Sequence, residues 1–76
     1  MNIQLQANAE DGFGNVEPVP VSGAEFFSLY QGEPGKYQWV ADFAELSTAR
    51  WIGKHIAQST GHRYVENLIG DEDERL

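Results

Sequence analysis

The sequence predicts an α+β fold: a small, mainly antiparallel sheet of three to four strands with one helix packed on one face. Three observations predict it. Segments at the amino terminus and in the middle of the chain alternate apolar and polar side chains at a period of two. Between two of these segments stands "GEPGK", residues 32–36, a tight-turn signal. From Leu46 onward the apolar residues recur every three to four positions instead. A chain of 76 residues has room for one domain and one small core. Residues 1–70 are assigned to that domain, and residues 71–76, "DEDERL", to an acidic disordered tail.

The elements follow in order. In "MNIQLQA", Ile3, Leu5 and Ala7 give a short strand one apolar face. Residues 8–23 collect three glycines and two prolines and read as a long loop, with Val16, Val19 or Val21 turned back to the core. "AEFFSLYQ", residues 24–31, is a second strand with Phe27 and Leu29 inward and Phe26, Ser28 and Tyr30 on the other side. Pro34-Gly35 suits the centre of a type II turn. A third strand, residues 37–43, then places Tyr37, Trp39, Ala41 and Phe43 on one face. The helix runs from Leu46 through Ala49, Ile52 or Gly53, and Ile56, with Glu45 near its first turn and Gly61 placed as a left-handed cap. It folds back over the hairpin face that bears Trp39 and Phe43, and "HRYVENLI", residues 62–69, completes the sheet.

Composition bounds function mainly by exclusion. With 41% hydrophobic and 12% aromatic residues there is enough apolar surface to pack one sheet on one helix. Cysteine is absent, which removes disulfides and thiolate metal ligands and suits a reducing, cytoplasmic setting. The start of the chain lacks the basic and apolar regions of a signal peptide, and no run reaches the roughly 20 apolar residues that span a bilayer. The formal charge of −7 opposes phosphate backbones and anionic membranes but not a basic protein; it also serves solubility.

Catalytic and metal patterns do not assemble. His55 has no acidic residue four positions away on either side, and a zinc site wants three or four convergent ligands. Ser22, Ser28, Ser47 and Ser59 lie outside any nucleophile elbow. "EDGFGN" has two glycines but neither the third glycine nor the helix of a dinucleotide loop, and its spacing does not match a calcium loop. Carboxylate pairs such as Glu10 with Asp11, or Asp42 with Glu45, read as solvated charges in a chain too short to build a desolvated cleft. The expectation is a non-enzymatic protein with no cofactor and no metal.

Two surfaces remain as binding candidates. One is the sheet face away from the helix, carrying Phe26 and Tyr30 with Val40 and Tyr64; either the amino-terminal segment and proline loop cover it, or it binds protein. The other is the outer side of the helix, where Arg50 and Lys54 stand four apart beside His55 and Trp51. That strip docks an acidic partner or is a solvated face paired with carboxylates from the loop, and Trp51 is a core edge or an interface anchor.

The layout "FFSLYQGEPGKYQWVADF" followed by "LSTARWIGKHIAQSTG" within residues 24–69 resembles small proteins of phages and mobile elements, among them anti-CRISPR and other anti-defence inhibitors. The resemblance implies inhibition by occlusion: a small body blocks a surface on a nuclease complex, in some cases by mimicking nucleic-acid charge. In that reading Glu10, Asp11, Glu17 and Glu33 supply acidic contacts, and Phe26, Tyr30 or Trp51 the apolar anchor. The alternative is a homo-oligomer, assembled through an edge strand or the aromatic face.

Overall fold

The structure, a computed structural model, describes residues 1–69; the expected acidic tail, residues 71–76, lies outside the described residues. The described elements are β1 (Asn2–Glu10), β2 (Val16–Pro18), β3 (Phe26–Gly32), β4 (Gln38–Phe43), α1 (Leu46–Thr60) and β5 (Arg63–Asn67), with a 3-10 turn at Val21–Gly23. They form the expected α+β arrangement, with β1 at the centre of the sheet. β3 runs antiparallel along one edge of β1, from Asn2↔Gly32 to Asn8↔Phe26. The other edge is shared: β5 runs parallel to residues 2–6, and β2 runs antiparallel to residues 8–10. β4 pairs with the far side of β3 and, after two reversals, runs parallel to β1. The helix reverses the chain twice more, so β5 also arrives parallel to β1.

Alternation explains the core. Ile3, Leu5 and Ala7 of β1 face Phe27 and Leu29 of β3, and all are buried. Full burial of each large aliphatic side chain is worth about 1.5–3 kcal/mol. The helix lays a narrow stripe of small residues over them: Ala49, Gly53 and Ala57, four apart, are its buried positions. Leu46, Ile52 and Ile56 pack along the flanks, half-buried. The expected helical stripe is therefore present, but its centre is small so that the helix can sit close to the sheet. Gly61, with φ of 76°, ends the helix as expected, and the N–H of His62 donates to the Ala57 carbonyl at 2.9 Å.

Gly53 tests that close approach. A β-carbon there would stand 2.8 Å from Cε1 of Tyr64 and 3.0 Å from Cδ2 of Leu29. Gly53→Ala gains about 1 kcal/mol of helix propensity, but overpacking costs about 1–3 kcal/mol. We expect a net loss on the order of 1 kcal/mol in urea unfolding, where an exposed helical glycine would show a gain.

The central hairpin forms where expected: the N–H of Lys36 donates to the Glu33 carbonyl at 2.8 Å, and Gly35 takes φ of 84°, as a type II turn requires. Its facing differs from the expectation in one respect. Between Leu29 and Tyr30 the register shifts, so that Ala41 pairs with Leu29 and Trp39 with Tyr30, leaving Val40 as an extra residue on β4. A one-residue slip sends a side chain to the opposite face. Ala41 and Phe43 stay toward the helix, but Trp39 turns to the open face and is 62% exposed.

Residues 8–23 are also more ordered than a long loop. β1 continues to Glu10 and pairs with β2. The N–H of Val19 then donates to the Ala7 carbonyl, and that of Glu25 to the Asn8 carbonyl. Pro18 is tolerated in β2 because that strand lies at the sheet edge. Val21 packs on the core and Val19 is half-buried, whereas Val16 is exposed.

Candidate protein-binding surface

Charge is distributed unevenly along the sheet. Residues 1–35 contain no lysine or arginine. The strand register brings Glu10, Asp11, Glu17 and Glu25 to the end where β1 finishes; Glu17 pairs with Ala9, and Oε1 of Glu25 accepts the Glu10 N–H at 3.0 Å. Glu45, at the start of α1, lies towards the same end. Glu33 does not belong to this group. It follows Gly32, which sits opposite Asn2, so about 26 Å of β1 separates it from Glu10. Lys36 and Arg63 are at Glu33's end.

The acidic end is built around one carboxylate. Oδ1 of Asp11 accepts the backbone N–H of Phe13 at 2.8 Å and of Asn15 at 3.2 Å, and Oδ2 accepts Nδ2 of Asn15 at 3.2 Å. The Asp11 N–H in turn donates to the Asn15 carbonyl at 3.0 Å. The donation from Phe13 and those from Asn15 hold the Asp11 carboxyl below its ordinary range. Asp11 thus shapes the loop as well as adding charge to it.

On the open sheet face Phe26, Ser28 and Tyr30 share one side of β3, as the alternation predicts. Ser28 and Tyr30 belong to a polar lattice. Nδ2 of Asn8 donates to Oγ of Ser28 at 2.9 Å and to the Tyr30 hydroxyl at 3.2 Å. Oδ1 of Asp42 accepts both the Ser28 hydroxyl at 2.6 Å and Nε1–H of Trp39 at 2.8 Å. Asn8 and Ser28 are fully covered by this lattice, which satisfies their polar groups. Of the others expected on this face, Val40 is the unpaired bulge residue of β4 and is exposed, whereas Tyr64 lies under the helix against Gly53.

The basic strip of the helix is paired, but with a carboxylate of β5 rather than of the loop. Arg50 donates to both oxygens of Glu66 on β5, at 2.8 and 3.3 Å, and the Tyr64 hydroxyl donates to the same carboxylate at 2.7 Å. Nζ of Lys54 lies 5.7 Å from the centre of the Tyr64 ring. Trp51 is 66% exposed and stacks on His55, with centroids 5.7 Å apart. Arg50 and Lys54 therefore clamp β5 to the helix, and Trp51 is the outward residue of the trio.

This cluster sets a pH dependence. Partial burial pushes the Glu66 carboxyl upward, but the hydrogen bonds from Arg50 and Tyr64 outweigh it and hold the carboxyl below its ordinary 4.5. Burial, then the bond to Glu66, raises the Tyr64 hydroxyl. A carboxyl lowered in the folded state stabilises above its unfolded value and loses that contribution as pH falls through the folded one. Glu66→Gln is expected to cost about 0.5–1 kcal/mol at pH 7. The difference from the parent should shrink as pH falls below 4.5 in urea titrations.

Comparison with family models, curated proteins and solved structures returns no match, so the surface is read from its own chemistry. Among the described residues no group of three His, Asp or Glu side chains is placed to share a metal ion, and no helix is long and apolar enough to cross a membrane. Of the expected contact residues, the fold gathers Glu10, Asp11 and Glu17; places Phe26 and Tyr30 on the open face with Trp39; puts Arg50, Lys54 and Trp51 on the helix; and sets Glu33 apart, 3.4 Å from the Met1 amino group. Phe13, 89% exposed at the tip of the acidic end, was not among them. Its signal was the glycine on either side in "DGFGN".

Proposed function

We propose that this chain is a non-enzymatic protein-binding module, in its sharpest form an inhibitor of the anti-CRISPR kind that occludes a basic, nucleic-acid-binding surface of a partner complex. The observation that supports it is the gathering of Glu10, Asp11, Glu17 and Glu25 at one end of the sheet, in a stretch without lysine or arginine. Such a field speeds encounter with a positive surface and disfavours acidic partners. The test is affinity capture from bacterial lysate, followed by competition on the captured protein. A basic nucleic-acid-binding protein should be recovered and released as salt rises, and added chain should displace its nucleic acid. A partner that binds the chain and its nucleic acid together contradicts occlusion.

The exposure of Trp39 favours a second reading, self-association through the open face. The Val40 bulge interrupts β4 and disfavours pairing along that edge. Sedimentation at micromolar concentration separates the readings: a dimer lost on Trp39→Ala supports self-association, and a monomer opposes it.

A further inference from the structure

We propose that Phe13 is the anchor of the acidic end, seating on an apolar surface of a protein partner that is rimmed by lysine or arginine. Its ring is the most exposed large hydrophobic side chain among the described residues. The two exposed tryptophans have internal partners, since Trp39 donates its N–H to Asp42 and Trp51 stacks on His55. No aromatic stack or cation contact of Phe13 is present among the described residues. Nor is the ring outside for want of order in its loop. Gly12 and Gly14 take φ of 91° and 87°, a conformation that favours glycine, and the Asp11 carboxylate accepts the N–H of Phe13 itself. This frame holds the side chain away from the core, so little ordering remains to be done on binding. Large aromatics on such fixed points are the usual energetic centres of interfaces. Charge complementarity selects the partner: Glu10, Asp11 and Glu17 stand in the same hairpin as Phe13, so the receiving site needs cations at its rim.

The inference rests on the proposed acidic binding end and adds the residue that gives it grip. It can be tested with a synthetic 14-residue amphipathic helix of leucine and lysine, titrated into isotopically labelled protein and followed by amide chemical shifts. The largest shifts should fall on residues 10–17. Phe13→Ala should weaken binding at least tenfold with all other amide shifts in place, and Phe13→Leu should weaken it less. Glu10→Gln with Glu17→Gln, or high salt, should weaken it as well. If the charge changes act but Phe13→Ala does not, the acidic reading survives and the anchor is overturned. If Phe13→Ala acts and salt does not, the anchor is supported and the electrostatic reading fails. Shifts centred on Trp39 or Trp51, or no shifts, overturn the proposal.

Discussion

Leu29→Ala should lower the free energy of unfolding by about 3–5 kcal/mol. Leu29 is wholly buried in the middle of β3, with Leu5 opposite on one side, Ala41 on the other and the Gly53 stretch of the helix above. Truncation removes apolar contacts with two flanking strands and the helix and opens a void that a sheet, held by its backbone bonds, cannot close. A domain of this length holds roughly 4–11 kcal/mol in all, so the loss is a large part of it. Urea unfolding followed by circular dichroism should show a much lower midpoint at an unchanged slope. Val16→Ala, at an exposed position on β2, should stay within about 0.5 kcal/mol and serves as the control.

Gly32→Ala should cost at least about 3 kcal/mol. Gly32 ends β3 with φ of 144°, which L side chains rarely adopt and which alone costs about 1–3 kcal/mol. A β-carbon there would also lie 2.5 Å from the Lys36 carbonyl oxygen and 3.2 Å from Cα of Tyr37. Those are backbone atoms, so no rotamer relieves the clash and the hairpin must open. Gly35→Ala provides the comparison: its φ of 84° is also left-handed, but nothing lies within 4 Å of the added carbon. It should cost only about 1–2 kcal/mol. Amide exchange at Lys36, whose N–H closes the turn, should accelerate sharply in Gly32→Ala and modestly in Gly35→Ala.

How much of this was legible depended on the range of the interactions involved. The Pro34-Gly35 hairpin and the helix from Leu46 to Gly61 are local patterns, set by turn chemistry and spacing, and both stand as the sequence predicts. The facing of Trp39 is different in kind. Alternation from Phe43 through Ala41 points it inward, and only the bulge at Val40 turns it out; a bulge reflects how two strands fit, which no single segment records. β2 was hidden because its three residues, Val16–Pro18, are all exposed and include proline, so they show no apolar alternation. The partner of Arg50 was sought in the loop or in another protein because Glu66 is 16 residues away on a strand whose position depends on the whole crossover. The acidic end was visible as composition in residues 1–35, but its geometry depended on the register that separates Glu33 from Glu10 and Glu17.

That separation gives the most direct test of the claim that one end of the sheet makes the contact. Glu10→Gln, Glu17→Gln and Glu33→Gln each remove one charge from an exposed site, so net charge is the same in all three. At physiological salt the screening length is about 8 Å, well short of the distance from Glu33 to the acidic end. The association rate with the captured partner, measured by stopped flow, should fall for Glu10→Gln and Glu17→Gln and stay near the parent value for Glu33→Gln. Equal slowing by all three would mean that overall charge, rather than this end of the molecule, drives association.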